Sequence, residues 1–124
     1  MLLSRENILN AVDIKTEVVS CPEWGGDVMV RGLTAQERDK LEQSLYTTKK
    51  HGNGFEVVPT KSDTIRVKLV VLTCVNENGD LIFTVADIDS LNKKSAAPID
   101  RIFAVAQRLS GLTEKDVEEL EKNS

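Results

Sequence analysis

The sequence predicts an α+β fold: a mostly helical single domain over residues 1–124, with a small antiparallel β-hairpin in its N-terminal third. Two short runs rich in Val flank a Gly-containing loop early in the chain, which is typical of a hairpin. Suitable N-cap residues precede most of the later apolar runs, which indicates helices. Aromatic residues make up only 4% of the chain, so the core must consist mainly of Val, Leu, Ile and Ala.

The first predicted elements are a short helix and the hairpin. Ser4 is a suitable cap for a helix over "SRENILNAV", in which Ile8 and Val12 share one face. The runs "IKTEVVSC" and "DVMVRG" are typical of strands, and the Pro and two Gly between them predict a turn. That turn holds the only tryptophan, Trp24, which either packs at the edge of the core or contacts a partner.

The middle of the chain predicts two helices separated by a loop. Thr34 and Glu37 have the spacing of a capping box and predict a helix from Ala35 to about Tyr46, with one narrow apolar stripe. Residues 47–61 contain Gly, Lys and Pro and predict a flexible loop, with a brief extended piece at 55–58. The run 63–76 has the β-branched content of a strand, but its length of about thirteen residues favours a buried central helix.

The last third predicts three further helices. Thr84 is a suitable cap for a short helix that ends at about Leu91, and Ser95 is one for a longer amphipathic helix that ends at Gly111. Thr113 precedes a final helix whose first turn is acidic, as the helix dipole favours.

No set of residues predicts catalysis. The single histidine, His51, lies in a Gly/Asn segment without a nucleophile or carboxylate close in sequence, and Cys21 and Cys74 form no metal-ligand spacing, so we expect two reduced, buried thiols. We therefore predict no catalytic residue, no metal and no cofactor, and we expect the protein not to be an enzyme. A net charge of −4 disfavours nucleic-acid binding, and no apolar run reaches the roughly 20 residues of a membrane span.

Three segments in a fixed order resemble the tail assembly chaperones of long-tailed bacteriophages, over roughly residues 14–123. The first is "WGGDVMVRGLT", which leads from the hairpin into a helix. The second is the turn "NGDLIFT", and the third is the C-terminal "LSGLTEKDVEELEKN".

The resemblance implies a non-enzymatic protein that binds the long, largely helical tape measure protein and keeps it soluble during tail assembly. It implies a place in the cytoplasm of the bacterial host, absence from the mature virion, homo-oligomers, and a longer form of the protein made by ribosomal frameshifting. The alternative is a structural virion component, either a tail tube protein or a head–tail connector protein.

A chaperone of this kind needs exposed apolar surface for its partner, and an acidic exterior keeps the complex soluble. The expected contacts are large apolar residues on the hairpin and the helix that follows it, where a groove for a partner helix would form. These candidate partner-binding residues are Trp24, Met29, Leu41, Leu45 and Tyr46.

Overall fold

The computed structural model describes residues 1–44, 46–51, 54–59 and 65–122, with side chains for 1–44 and 65–121. Within these residues, six α-helices and two antiparallel sheets confirm the predicted α+β class. The helices are α1 (Arg5–Asn10), α2 (Ala35–Ser44), α3 (Ile65–Thr73), α4 (Ile88–Asn92), α5 (Ala96–Leu109) and α6 (Glu114–Lys122). The strands are β1 (Thr16–Cys21), β2 (Gly26–Arg31), β3 (Tyr46–His51), β4 (Gly54–Pro59) and β5 (Cys74–Val75).

The predicted hairpin is confirmed and forms part of a three-stranded sheet. Strands β1 and β2 pair antiparallel with Val19 opposite Val28, and β5 pairs with the other edge of β2. A single bridge from Val75 to Leu81 extends the pairing by one further residue. A 3-10 turn at Pro22–Trp24 connects β1 and β2.

Helix α3 is the central helix, as the length of its apolar run predicts. Seven of its nine residues are buried, namely Ile65, Val67, Lys68, Leu69, Val70, Val71 and Thr73. The helix ends at Thr73, three residues earlier than predicted, because Cys74 and Val75 pair with β2 as a strand. The ammonium of Lys68 donates a hydrogen bond to the Ser44 carbonyl, which provides a polar partner for this buried charge.

The prediction of a loop over residues 47–61 was wrong for most of that segment. Strands β3 and β4 pair antiparallel, with Thr48 opposite Val57 and His51 opposite Gly54. Two Thr residues lie in β3 and two Val residues lie in β4, and these β-branched side chains favour strands. That preference outweighs the Gly and Lys content on which the loop prediction rested.

One hydrophobic core joins the three-stranded sheet, α3 and the C-terminal helices. Helix α5 packs against both α3 and the inner face of the sheet. Leu112 and Val117 extend the core to the start of α6, so the apolar side of the acidic C-terminal helix covers the protein's own interior. Helix α1, in contrast, has no buried residue. No helix among the described residues is both long and apolar enough to cross a membrane.

Candidate partner-binding site

Trp24 lines a groove of about 450 Å³ beside the hairpin turn, which we call the Trp24 groove. Its other apolar lining residues are Phe83 and Leu91, and Glu23 and Lys94 carry opposite charges at its rim. The Trp24 ring is partly buried and packs against the core, while part of it faces solvent. The packing of the ring agrees with the interpretation of Trp24 as a residue at the edge of the core, and its contact with a partner stays a prediction.

Arg101 on α5 fixes the turn that carries Trp24. Its guanidinium donates to the Ser20 carbonyl at 3.0 Å and to the two carboxylate oxygens of Glu23 at 3.1 and 3.0 Å. The hydrogen bond from Arg101 lowers the pKa of Glu23 below its ordinary value. Gly25 completes the turn at a φ of 82°, which a residue with a Cβ rarely adopts. Arg101 thus holds the residues before Trp24, and Gly25 allows the chain to reverse directly after it.

Met29 lies in a different groove. Residues that alternate with the buried Val19, Cys21 and Val30 point to the opposite side of the sheet, away from α5. Met29 is on that side, in a groove of about 610 Å³ that is also lined by Val18 and Val75. Trp24 and Met29 therefore contact separate surfaces, although only five residues separate them in sequence.

None of the remaining three candidates has a described side chain that lines either groove. Leu41 is the one buried residue of α2 and is 0% exposed, because the narrow apolar stripe of this helix packs into the core. It cannot contact a partner unless the core opens. Leu45 lies outside the described residues, and Tyr46 begins β3 with no described side chain.

The segment Val30–Thr34 carries much of the family resemblance, and its residues form internal contacts. The Val30 side chain is fully buried, and the Leu33 amide donates to the Ser110 hydroxyl at 3.0 Å. A Cβ on Gly32 would lie 2.5 Å from the Leu109 carbonyl oxygen, so the strand approaches the end of α5 this closely only with glycine. These contacts explain the motif through its role in the fold.

Sequence reasoning missed Phe83 in the Trp24 groove. The signal was the "NGDLIFT" turn. The Asn76 side chain, just before this stretch, accepts hydrogen bonds from the Asn78 and Asp80 amides at 2.9 and 3.1 Å. Gly79 adopts a φ of 84° and allows the reversal. The turn thereby directs the chain past Val75 and brings Phe83 next to Trp24.

The two thiols are buried and free, as predicted. Burial raises the pKa of Cys74 to about 12, so this thiol stays protonated and is a poor nucleophile at neutral pH. Within the described residues, no group of three His, Cys, Asp or Glu side chains is placed to hold a metal ion.

These features define an α+β domain with several surface grooves, among which the Trp24 groove is lined mainly by apolar residues. An apolar groove of this kind can hold side chains of a partner helix. Residues 5–123 match the family model described as phage tail assembly chaperone, and the chain therefore belongs to this family. Membership supports a role in tail assembly and interaction with tail proteins, in a family that is generally non-enzymatic. No curated protein and no solved structure matches the chain.

Proposed function

We propose that this protein binds the tape measure protein of its phage and keeps it soluble until tail subunits assemble around it. The observation that carries the proposal is a partly exposed tryptophan, fixed in an apolar groove, in a member of a tail assembly chaperone family. A long helical partner exposes apolar side chains at helical spacing before assembly, and a groove of this kind covers such side chains.

The Trp24 groove supports this function through its shape and its charges. Trp24 and Phe83 offer aromatic surface, and tryptophan is among the residues that contribute most to binding energy at interfaces. Glu23 and Lys94 at the rim can orient a partner helix through charge without adding much affinity. Because Arg101 holds the turn in place, the groove is formed before the partner arrives and little ordering is needed on binding.

The proposed function includes a place in the host cytoplasm and absence from the mature virion. A net charge of −4 supports it, since a charge well away from zero keeps a protein and its complexes in solution. The same proposal includes a longer, frameshift-extended form of this protein. Mass spectrometry of infected cells tests whether that form is made.

The test is co-expression with the tape measure protein encoded by the same phage genome, followed by a solubility assay and a pull-down. We expect the tape measure protein to become soluble and to co-purify. Trp24→Ala should abolish co-purification while a thermal melt shows that the variant is folded, and Val12→Ala is the matched control, because Val12 is 98% exposed and lies outside the Trp24 groove.

Two results would contradict the proposal. If the tape measure protein stays insoluble while this protein is found in purified particles, the structural alternative holds. If the tape measure protein becomes soluble but Trp24→Ala binds it as well as the unmodified chain does, chaperone activity stands and the Trp24 groove is not the binding site.

A further inference from the structure

The size of the Trp24 groove limits what it can hold. Its volume is about 450 Å³, Leu91 is buried at 6% exposure, and the rings of Trp24 and Phe83 are half-buried. An apolar cavity of about 150 Å³ holds a benzene ring, so this groove has room for roughly two or three apolar side chains. Side chains three or four residues apart lie next to each other on one face of a helix. The groove therefore fits the apolar anchors on one helix face.

The two charged residues that line the groove are not equivalent. Both carboxylate oxygens of Glu23 accept hydrogen bonds from the Arg101 guanidinium, at 3.1 and 3.0 Å, so its charge is already neutralised. Lys94 is exposed and pairs with no carboxylate in the part of the chain that the structure describes. Its amide donates to the Leu91 carbonyl at 3.0 Å, which holds this residue beside the groove. The rim therefore carries a net positive charge, and the exposed Lys93 next to it adds to that charge.

We infer that the Trp24 groove selects a helical segment of the tape measure protein that carries an acidic side chain one turn from its apolar anchors. The inference rests on the proposed function and adds the chemistry of the bound segment. A carboxylate three or four residues from an anchor lies on the same helix face, where it can meet the Lys94 ammonium. A basic side chain at that place would face Lys94 and would find Glu23 already paired with Arg101, so such a segment is rejected.

The overall negative charge of the protein does not prevent this choice. A net charge of −4 repels an acidic partner at long range. At physiological salt, however, charges separated by more than about 8–10 Å are largely screened, and Lys94 lies at the groove itself. An exposed ion pair adds little affinity. The main effect of Lys94 is therefore to discriminate between segments of opposite charge.

The experiment measures the affinity of overlapping synthetic peptides that together span the tape measure protein of the same phage. Fluorescence anisotropy of the labelled peptides gives dissociation constants for the unmodified chain and for Trp24→Ala, Lys94→Glu and Lys15→Glu. Lys15→Glu is the matched control, because it makes the same charge change at an exposed residue just before β1, at the end of the hairpin opposite the Trp24 turn. A thermal melt checks that each variant is folded.

We expect the peptides that bind the unmodified chain to carry two apolar residues three or four apart and an Asp or Glu one turn away. Trp24→Ala should abolish their binding. Lys94→Glu should weaken the tightest peptide about tenfold, because attraction becomes repulsion, and Lys15→Glu should change its dissociation constant by less than about twofold. Replacing the acidic residue of that peptide with Lys should weaken its binding to the unmodified chain and restore its binding to Lys94→Glu.

Four outcomes would overturn the inference while the proposed function stands, provided that the whole tape measure protein still becomes soluble and co-purifies. The Lys-substituted peptide binds Lys94→Glu no better than it binds the unmodified chain; the tightest peptides lack the acidic residue; the peptides bind Trp24→Ala unchanged; or no single peptide binds. A failure of the proposed function gives a different result, because the whole tape measure protein then stays insoluble and does not co-purify, and the inference falls with it.

Discussion

The guanidinium of Arg31 and the carboxylate of Glu37 meet through two parallel hydrogen bonds, Nη1 to Oε1 at 2.7 Å and Nη2 to Oε2 at 2.6 Å. Only 14% and 13% of the two side chains are exposed. The same carboxylate accepts from the Thr34 amide at 2.9 Å, and the Thr34 hydroxyl accepts from the Glu37 amide at 3.2 Å. One side chain therefore caps α2 and joins it to the end of β2.

Replacing Glu37 with Gln should destabilise the protein by about 1–3 kcal/mol, because Arg31 loses its charged partner in a mostly buried position. The measurement is urea unfolding at neutral pH. Glu42→Gln is the control, since Glu42 pairs with Arg38 at 3.4 Å on the surface, where both side chains are over 40% exposed. Such pairs contribute less than about 1 kcal/mol. Equal losses of unfolding free energy in the two variants would show that the Arg31–Glu37 pair stabilises the protein no more than an exposed surface pair does.

The same pair predicts how stability depends on pH. Burial raises the pKa of Glu37 and is the largest single influence, but the hydrogen bonds from Arg31 and Thr34 together outweigh it and hold the pKa below its ordinary value of 4.5. A carboxyl group with a lowered folded pKa stabilises the fold above its unfolded pKa, and this contribution is lost as the pH falls through the folded pKa.

The difference in unfolding free energy between the unmodified chain and Glu37→Gln should therefore be constant at neutral pH and shrink below pH 4.5. Urea unfolding across a pH series measures it. A difference that keeps its full size at the acid end of the series would mean that the charge of Glu37 is not what stabilises the junction.

The capping boxes show which features the sequence could predict. Thr34 and Glu37 make the predicted pair of hydrogen bonds at 2.9 and 3.2 Å. Thr113, predicted as a helix cap, makes the same pair with Asp116 at 2.9 and 3.0 Å. A capping box depends on residues three apart on one helix, so its signal is entirely local. The hairpin followed from a similarly short-range pattern. Its third strand, β5, was not predicted, because residues 74–75 were assigned to the helix over 63–76 and pair with the distant β2.

The binding surfaces could not be predicted in the same way. Trp24 and Met29 are neighbours in sequence, but they line different grooves because one lies on the turn and the other points away from α5. Leu41 is fully buried because α2 lies over the core with that residue inward. Which side of a strand or helix is covered depends on the packing of distant elements, such as α5, and the local pattern does not contain that information.

Gly32→Ala should cost roughly 1–3 kcal/mol, because a Cβ there meets the backbone of Leu109, which cannot move as a side chain can. A thermal melt measures the loss. Gly26→Ala is the matched control at the other end of β2, since a Cβ at Gly26 has no atom within 4 Å. We expect it to change stability by less than about 0.5 kcal/mol. If Gly32→Ala melts like Gly26→Ala, the close approach of β2 to α5 is not required.

Arg101→Gln should loosen the turn that carries Trp24 while leaving the fold intact. The substitution removes both hydrogen bonds to the Glu23 carboxylate, and because the Arg101 side chain is 41% exposed, the loss of global stability should be small. Trp24 is the only tryptophan, so fluorescence reports on this turn alone. We expect emission at longer wavelength and stronger quenching by acrylamide, because the indole gains contact with water.

Arg108→Gln is the matched control for Arg101→Gln. Arg108 lies two turns further along α5 and pairs with Glu17 of β1 at 2.7 Å, on the same helix face but away from the turn. This variant should keep the emission and quenching of the unmodified chain. If both variants change Trp24 fluorescence equally, the sheet moves as a whole on α5 and the turn is not held by Arg101 in particular. If neither changes it, packing of the ring against the core is sufficient to hold Trp24, and the groove is formed without the Arg101–Glu23 pair.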